Sequence, residues 1–148
     1  MLQAQYKDLL QHPDIRFDVP ENGGYIEVKD AATHDTLAWV KSHDRASVEQ
    51  VIARSQKAQT AWKAQTALQR ADVLWAWFDL MQENKESLAQ ILTAEQGKPL
   101  AEARGEIGYA ASFIRWFAEQ ARRIDGEVLT PTLPNQRLLV IKQAIGVT

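Results

Sequence analysis

The sequence predicts a mainly α-helical chain with a few β-strands, and three patterns support this fold class. Four stretches between residues 44 and 123 carry apolar side chains at helical spacing. Before them lie two runs rich in β-branched and aromatic residues, "GGYIEVKD" and "TLAWV". A third such run, "RLLVIKQ", lies near the C-terminus. We therefore expect an N-terminal hairpin, four helices and C-terminal strands.

These patterns divide the chain into three expected segments. Residues 1–22 form an N-terminal extension, residues 23–125 hold the hairpin and the four helices, and residues 126–148 hold the C-terminal strands. A chain of 148 residues is long enough to bury a core of its own.

The charge balance and the cysteine count exclude several classes of function. Seventeen Lys and Arg stand against nineteen Asp and Glu, which gives a net charge of -2 with no basic stripe. Because nucleic-acid binding needs clustered cations, we expect no nucleic-acid partner. The absence of cysteine excludes disulfides, thiolate metal sites and a thiol nucleophile within this chain.

No targeting or membrane segment is visible. The start, "MLQAQYKDLL", lacks the cationic end and continuous apolar run of a secretory signal. No run of about 18 apolar residues is present to span a membrane. We therefore expect a cytoplasmic protein with no membrane partner.

The first elements are a short N-terminal turn and the hairpin. The apolar residues of the turn are Leu2, Tyr6, Leu9 and Leu10, a run that is stable as a helix only if it docks. The turn-rich segment "DAATHD" separates the two strands of the hairpin.

The first two long helices have apolar faces and capping residues. Either Asp44 or Ser47, the latter paired with Gln50, is expected to cap the first helix. Thr66 and Gln69 have capping-box spacing for the second. The face expected to be buried in the first helix consists of Val48, Val51, Ile52, Ala58 and Trp62. That of the second consists of Ala71, Leu74, Trp75, Phe78 and Met81.

A helix-to-helix corner follows at "QGKP". Gly97 suits a left-handed residue that ends the third helix, and Pro99 suits the first position of the fourth. The fourth helix extends to about Arg123. Its inner stripe is Ala103, Ile107, Ala110, Ala111, Ile114, Ala118 and Ala121. Small side chains let a neighbouring backbone approach closely.

Two features of the fourth helix leave alternatives open. Gly105 and Gly108 each cost roughly 1 kcal/mol relative to Ala in a helix interior, so they relieve crowding against a neighbour or form a functional kink. An aromatic ridge is either packing surface or a binding surface. It consists of Tyr109, Phe113, Trp116 and Phe117.

The C-terminal strand is apolar on both faces. Leu138 and Val140 alternate with Leu139 and Ile141, and such a strand needs cover on both sides. No later residues of this chain are present to supply it, so we expect the strand to be unpaired and to recruit other chains.

The residues alone identify no active site. His12, His34 and His43 are isolated, and surface or capping roles are expected for them. The chain has no G-x-G-x-x-G, no P-loop and no G-x-S-x-G motif.

The run "LTAEQGKPLAEARGEIGYAASFIRWFAE", followed by "RLLVIKQAIGVT", resembles the N-terminal part of the aldehyde dehydrogenase superfamily. It is most similar to the succinate-semialdehyde dehydrogenase branch. The resemblance implies an N-terminal fragment of the α/β aldehyde dehydrogenase fold, roughly a third of such an enzyme. Two departures are "DAATHD" where relatives have "NPATG", and Ala144 where "KQPIGV" has proline.

The resemblance also implies the chemistry of the complete enzyme. A cysteine thiolate attacks the aldehyde, hydride passes to NAD or NADP, and water hydrolyses the thioester. The family's asparagine in "PWNFP", its nucleotide-binding residues, its general-base glutamate and its cysteine all follow an "IGVT" segment. We therefore expect this chain to have no catalytic and no cofactor-binding residues and to be inactive alone.

The resemblance assigns only a few residues to sites. Tyr109 and Phe113 match positions that contribute to the aldehyde entry channel, and Glu95 matches a carboxylate near a structural cation in some members. By the same resemblance, residues 23–125 belong to the cofactor-binding domain and residues 126–148 begin the oligomerisation β arm, which implies a homo-oligomer. Two alternatives remain: a truncated, non-catalytic module for oligomerisation or interaction, and an unrelated helical scaffold.

Overall fold

The computed structural model describes residues 4–148 and confirms a mainly helical fold with a few strands. The helices are α1 (Ala4–Leu9), α2 (Arg45–Ala64), α3 (Ala67–Glu83), α4 (Lys85–Gln96) and α5 (Leu100–Ala121). The strands are β1 (Ile15–Arg16), β2 (Tyr25–Lys29), β3 (Thr36–Lys41), β4 (Glu127–Leu129) and β5 (Leu138–Val140). Leu2 of the predicted N-terminal turn lies outside the described residues.

The predicted hairpin is present and forms part of a three-stranded antiparallel sheet with the order β1-β3-β2. In its turn, the Asp30 carboxylate accepts hydrogen bonds from the amides of Ala32 at 2.8 Å and Thr33 at 3.0 Å. These bonds lower the pKa of Asp30. His34 has φ 63°, a left-handed conformation. It occupies the position at which the "NPATG" pattern of the resembled family has glycine. The aspartate therefore organises this turn without the proline and glycine.

The helical core is a close contact of α5 with α3 and α4. The α5 residues that are buried are Ala103, Ala111, Ala118 and Ala121. Ala71 of α3 and Ala89 of α4 are also buried. The predicted inner stripe is correct for these four positions and wrong for Ala110, which is exposed.

A bidentate ion pair also joins α4 to α5. The Arg104 guanidinium donates to the Glu86 carboxylate at 2.7 and 2.8 Å. Hydrogen bonds from Arg104 and then Gln90 hold the pKa of Glu86 at about 2, below its ordinary 4.5. Both side chains are charged at neutral pH. The bidentate geometry of the pair also helps to fix the orientation of α4 relative to α5.

The predicted burial of the α2 face is wrong. Asp44 caps α2 by accepting from the Ser47 amide at 2.8 Å, so the alternative Ser47 cap is also wrong. No residue of α2 is buried, and Ile52 keeps 47% of its accessible surface. The apolar periodicity is real, but none of the other described elements packs extensively against it. By contrast, the Thr66–Gln69 capping box of α3 is confirmed.

The corner between α4 and α5 docks on the hairpin turn. Gly97 ends α4 at φ 83°, as predicted, and the Ala31 amide donates to the Ala94 carbonyl at 3.0 Å. Pro99 lies one residue before α5 rather than at its first position. Its carbonyl accepts from the amides of Glu102 and Ala103, which makes it the N-cap.

The C-terminal arm is a hairpin, so the strand predicted to be unpaired has one partner. β4 and β5 are antiparallel, with Val128 opposite Leu139 and Leu129 opposite Leu138. Every residue of both strands is exposed, so the apolar faces have no cover. Within residues 4–148, no helix is long and apolar enough to cross a bilayer. The cytoplasmic location stays a prediction.

The glycines of α5 are not explained by crowding alone. A Cβ at Gly105 would meet no atom within 4 Å, so the crowding interpretation is wrong there. A Cβ at Gly108 would lie 3.3 Å from the mobile ammonium of Lys85. In the corner before α5, by contrast, a Cβ at Gly97 would lie only 3.0 Å from the Cβ of Ala31.

We predict opposite effects of alanine at two of these glycines. Gly97→Ala should destabilise the chain by about 1–2 kcal/mol, because it forces an L residue into the left-handed region against Ala31. Gly105→Ala should stabilise it by roughly 0.5–1 kcal/mol through higher helix propensity. Urea unfolding followed by circular dichroism measures both. Equal effects would contradict the assigned roles of these residues.

Candidate functional site

The aromatic ridge of α5 is the candidate functional site. It consists of Tyr109, Phe113, Trp116 and Phe117, all of which are exposed. Tyr109 exposes 66% of its surface, which is far more than an aromatic side chain packed in a hydrophobic core exposes. Four neighbouring exposed aromatics on one helix are an apolar patch available to a ligand or to further polypeptide.

The ridge residues contact one another in a defined geometry. The rings of Tyr109 and Phe113, one helical turn apart, are 4.8 Å apart between centroids and nearly perpendicular at 83°. This edge-to-face arrangement is the favourable one for aromatic pairs. The Ser112 hydroxyl donates to the Tyr109 carbonyl at 2.6 Å, so its polarity is satisfied within the helix.

Beside this pair lies an open apolar cavity of about 480 Å³. Its lining residues are Ser112, Phe113, Trp116 and Phe117. The ridge supplies mainly apolar contact area, because the Tyr109 phenol is its one titratable side chain and it includes no carboxylate, imidazole or thiol.

The buried alanines orient the ridge. Because they hold another face of α5 against α3 and α4, the aromatic positions are turned outward. Arg115 lies between the two faces, with its guanidinium 6.0 Å from the Trp75 ring and 3.0 Å from the Glu119 carboxylate. The packing of the core therefore determines where the site residues point.

Glu95 lies apart from the ridge, in the last turn of α4, and is exposed. The nearby corner contains an ion pair between Lys98 and Glu106. Among residues 4–148 no group of three His, Asp or Glu side chains is arranged to hold a metal ion. A cation role for Glu95 stays a prediction.

Two of the three histidines, His12 and His43, lie near a different carboxylate. Asp14 has His43 at 3.4 Å, His12 at 3.8 Å and Lys41 at 3.9 Å. All four side chains are open to solvent, and the Asp14 amide donates to His12 Nδ1 at 3.2 Å. This cluster ties the N-terminal segment to the sheet.

A second cavity was not predicted from the sequence. It measures about 760 Å³ and lies where the end of α2, the start of α3 and the C-terminal segment meet. Its charged lining residues are Lys63, Arg70 and Lys142, with Trp62 beside them and no carboxylate. The three cations are widely separated in sequence, so no local motif could have indicated the cavity.

Comparison with known proteins gives a family match over most of the chain. The sequence model of the aldehyde dehydrogenase family matches residues 19–148. The glutarate-semialdehyde dehydrogenase of Pseudomonas putida is 50% identical over 128 residues, which are 86% of this chain and 27% of that protein. The succinate-semialdehyde dehydrogenase (NADP+) of Escherichia coli is 48% identical over 127 residues, 86% of this chain and 26% of that protein.

Solved structures agree with the sequence match. The succinate-semialdehyde dehydrogenase of Burkholderia pseudomallei superposes with a TM-score of 0.79 at 48% identity. The match covers 82% of this chain and 25% of that one. The described fold thus corresponds to an N-terminal fragment of a larger fold, and the chain spans about a quarter of the length of these relatives.

Proposed function

The chain belongs to the aldehyde dehydrogenase family, and on this premise we propose that it serves as the N-terminal part of an enzyme that oxidises succinate semialdehyde, or a similar small aldehyde, to the acid. The observation that carries the substrate class is the identity of 48–50% to relatives named for succinate and glutarate semialdehyde. Both substrates combine an aldehyde, a short methylene chain and a carboxylate.

NAD or NADP is the proposed hydride acceptor of the complete enzyme. The relative from Escherichia coli is named for NADP+, and the similar structure of PnpE, 28% identical, is a complex with nicotinamide adenine dinucleotide. The described residues contain no glycine-rich loop that would hold a pyrophosphate. We therefore assign no cofactor contact and no chemical step to this chain.

The proposed contribution of this chain to the substrate site is the wall of the aldehyde channel. The perpendicular rings of Tyr109 and Phe113 present an apolar surface, which suits the methylene chain of a semialdehyde. In the proposed reaction the nucleophile is a cysteine thiolate, which this chain does not supply because it has no cysteine.

We predict that the 148-residue chain alone produces no NADH or NADPH above a blank when given succinate semialdehyde. A chimeric enzyme, called the joined enzyme below, should be active. In it, residues 19–148 of this chain replace the matching part of the Escherichia coli succinate-semialdehyde dehydrogenase. Absorbance at the nicotinamide band measures both. Turnover by the chain alone, or a folded joined enzyme that oxidises no small aldehyde, would contradict the proposal.

In the joined enzyme, Phe113→Ala should raise KM for succinate semialdehyde by about 3- to 10-fold with little change in kcat, because it removes binding area from the channel wall. Tyr109→Phe should behave as the parent, since the ring rather than the hydroxyl supplies the surface. Steady-state kinetics measures these values. The matched control is Trp77→Ala, an exposed aromatic on α3. An equal change in KM for this control would refute the channel role.

The exposed arm favours a second candidate function, a module for oligomerisation. Both apolar faces of the β4–β5 hairpin are open, and Leu139 exposes 70% of its surface. A hairpin of this kind offers a free strand edge and two apolar faces to another chain. We propose that the arm joins copies of the protein into a homo-oligomer.

We predict that the chain self-associates and that Leu139→Lys weakens this association, because a charge would be placed on the apolar face. Light scattering over a concentration series measures the average mass. Leu80→Lys, at a similarly exposed leucine of α3, should leave the mass unchanged. A parent chain that stays monomeric at high concentration would refute the proposal.

A further inference from the structure

The cavity of about 760 Å³ between α2, α3 and the C-terminal segment concentrates positive charge. Lys63, Arg70 and Lys142 line it, and none of the described carboxylates does. The whole chain has a net charge of -2, so its composition alone does not account for this cluster. The fold therefore creates a positive potential within a concave surface, which is the arrangement that attracts anions.

The three cations of the cavity are not neutralised by their neighbours. Within residues 4–148, neither Lys63 nor Arg70 nor Lys142 forms an ion pair. Like charges that share one cavity repel each other, and an anion bound between them relieves this repulsion. The cavity is therefore suited to a negatively charged ligand.

Two of the cations are held by helices on either side of a short link. Lys63 lies in the last turn of α2, and Arg70 lies in the first turn of α3. The Gln65 carbonyl in that link accepts a hydrogen bond from Arg70 Nη1, which orients the guanidinium and uses one of its five donors. Guanidinium and ammonium groups are the side chains that most often bind phosphate in proteins.

The wall beside the cations offers an aromatic surface. Trp62 lines the cavity and exposes 38% of its surface, and Ile124 lies beside it. Gln59 and Gln143 complete the wall, and amide side chains both donate and accept hydrogen bonds. An indole face is a platform on which a planar ring stacks. The volume of the cavity is within the range that holds small organic ligands.

We propose that the cationic cavity, defined as Lys63, Arg70, Lys142 and Trp62, binds a small organic diphosphate with a planar ring, such as a nucleoside diphosphate. A phosphate monoester carries roughly 1.5 to 2 negative charges at pH 7, so a single phosphate leaves part of the three positive charges unbalanced. Two phosphates balance them. The phosphates contact the three cations, and the ring packs on the indole.

The cationic cavity is separate from the proposed wall of the aldehyde channel. It shares no lining residue with the cavity beside the aromatic ridge. A nucleotide bound in it contacts none of the residues proposed to bind the aldehyde, which assigns it a regulatory role rather than hydride transfer. The binding itself does not rest on the proposed function.

The test is isothermal titration calorimetry of the 148-residue chain with ADP, without divalent metal. One ADP should bind per chain. Lys142→Gln should weaken the affinity about tenfold, because it removes one of the phosphate contacts, and Lys142→Arg should restore it. The matched control is Lys57→Gln, which removes the same charge from a lysine that does not line the cavity. No binding of ADP, or an equal loss for Lys142→Gln and Lys57→Gln, would overturn the proposal.

The ring contact is tested with a ligand that lacks the ring. Inorganic pyrophosphate should bind several-fold more weakly than ADP, and Trp62→Leu should weaken binding of ADP several-fold without changing that of pyrophosphate. Trp77→Leu, at an exposed tryptophan of α3, should change neither. Succinate, which has two carboxylates and no phosphate, should bind at least about tenfold more weakly than ADP. Equal affinities for ADP and pyrophosphate, or tighter binding of succinate, would refute the ligand class.

The joined enzyme separates this site from that of the cofactor. With saturating NADP+ present, it should still bind ADP, and Lys142→Gln should weaken that binding as it does in the 148-residue chain. Displacement of ADP by NADP+ would refute a separate site. Because the readout is binding, ADP bound by a joined enzyme that oxidises no small aldehyde counts against the proposed function alone. An active joined enzyme that binds no ADP beside NADP+ counts against the cationic cavity alone.

Discussion

Close packing of α5 against α3 and α4 is the constraint on which the rest of the structure depends. Buried alanines let the helices approach closely, and larger side chains at Ala103, Ala111 or Ala118 would force them apart. The same contact sets the rotation of α5 about its axis. It therefore places Tyr109 and Phe113 on the outside, so the geometry of the core and of the candidate site are one property of this helix.

The helical core and the sheet are joined through the corner after α4. Gly97 allows the chain to turn in a left-handed conformation, and its missing side chain leaves room for Ala31. The hydrogen bond from the Ala31 amide to the Ala94 carbonyl closes this contact. A single small residue thus ends a helix and also lets the hairpin turn dock. Within that turn, the Asp30 carboxylate fixes the backbone by accepting hydrogen bonds from two amides.

Local chemistry made part of this structure predictable. The Thr66–Gln69 capping box, the left-handed Gly97 and the alternating strands of the hairpin each depend on residues a few positions apart. The aromatic ridge was visible for the same reason, because helical spacing alone puts its residues on one face.

Long-range contacts were not predictable in the same way. The apolar stripe of α2 predicted burial, but periodicity shows only that a face is apolar, and burial needs a partner. β1 has two residues and is recognisable only through its pairing with β3. Lys63, Arg70 and Lys142 come together through tertiary structure, so no motif indicated their cavity.

The distribution of side-chain size explains why this chain has so much exposed apolar surface. Its fully covered core positions are mainly alanines, while Ile52, Trp116 and Leu139 remain exposed. Hydrophobic stabilisation scales with the apolar area removed from water, so the largest contributions are still available at the surface. Small residues hold the helices together, and many large apolar ones stay at the surface. The residues that pack the helical core and those proposed here to bind substrate or other polypeptide are therefore largely different sets.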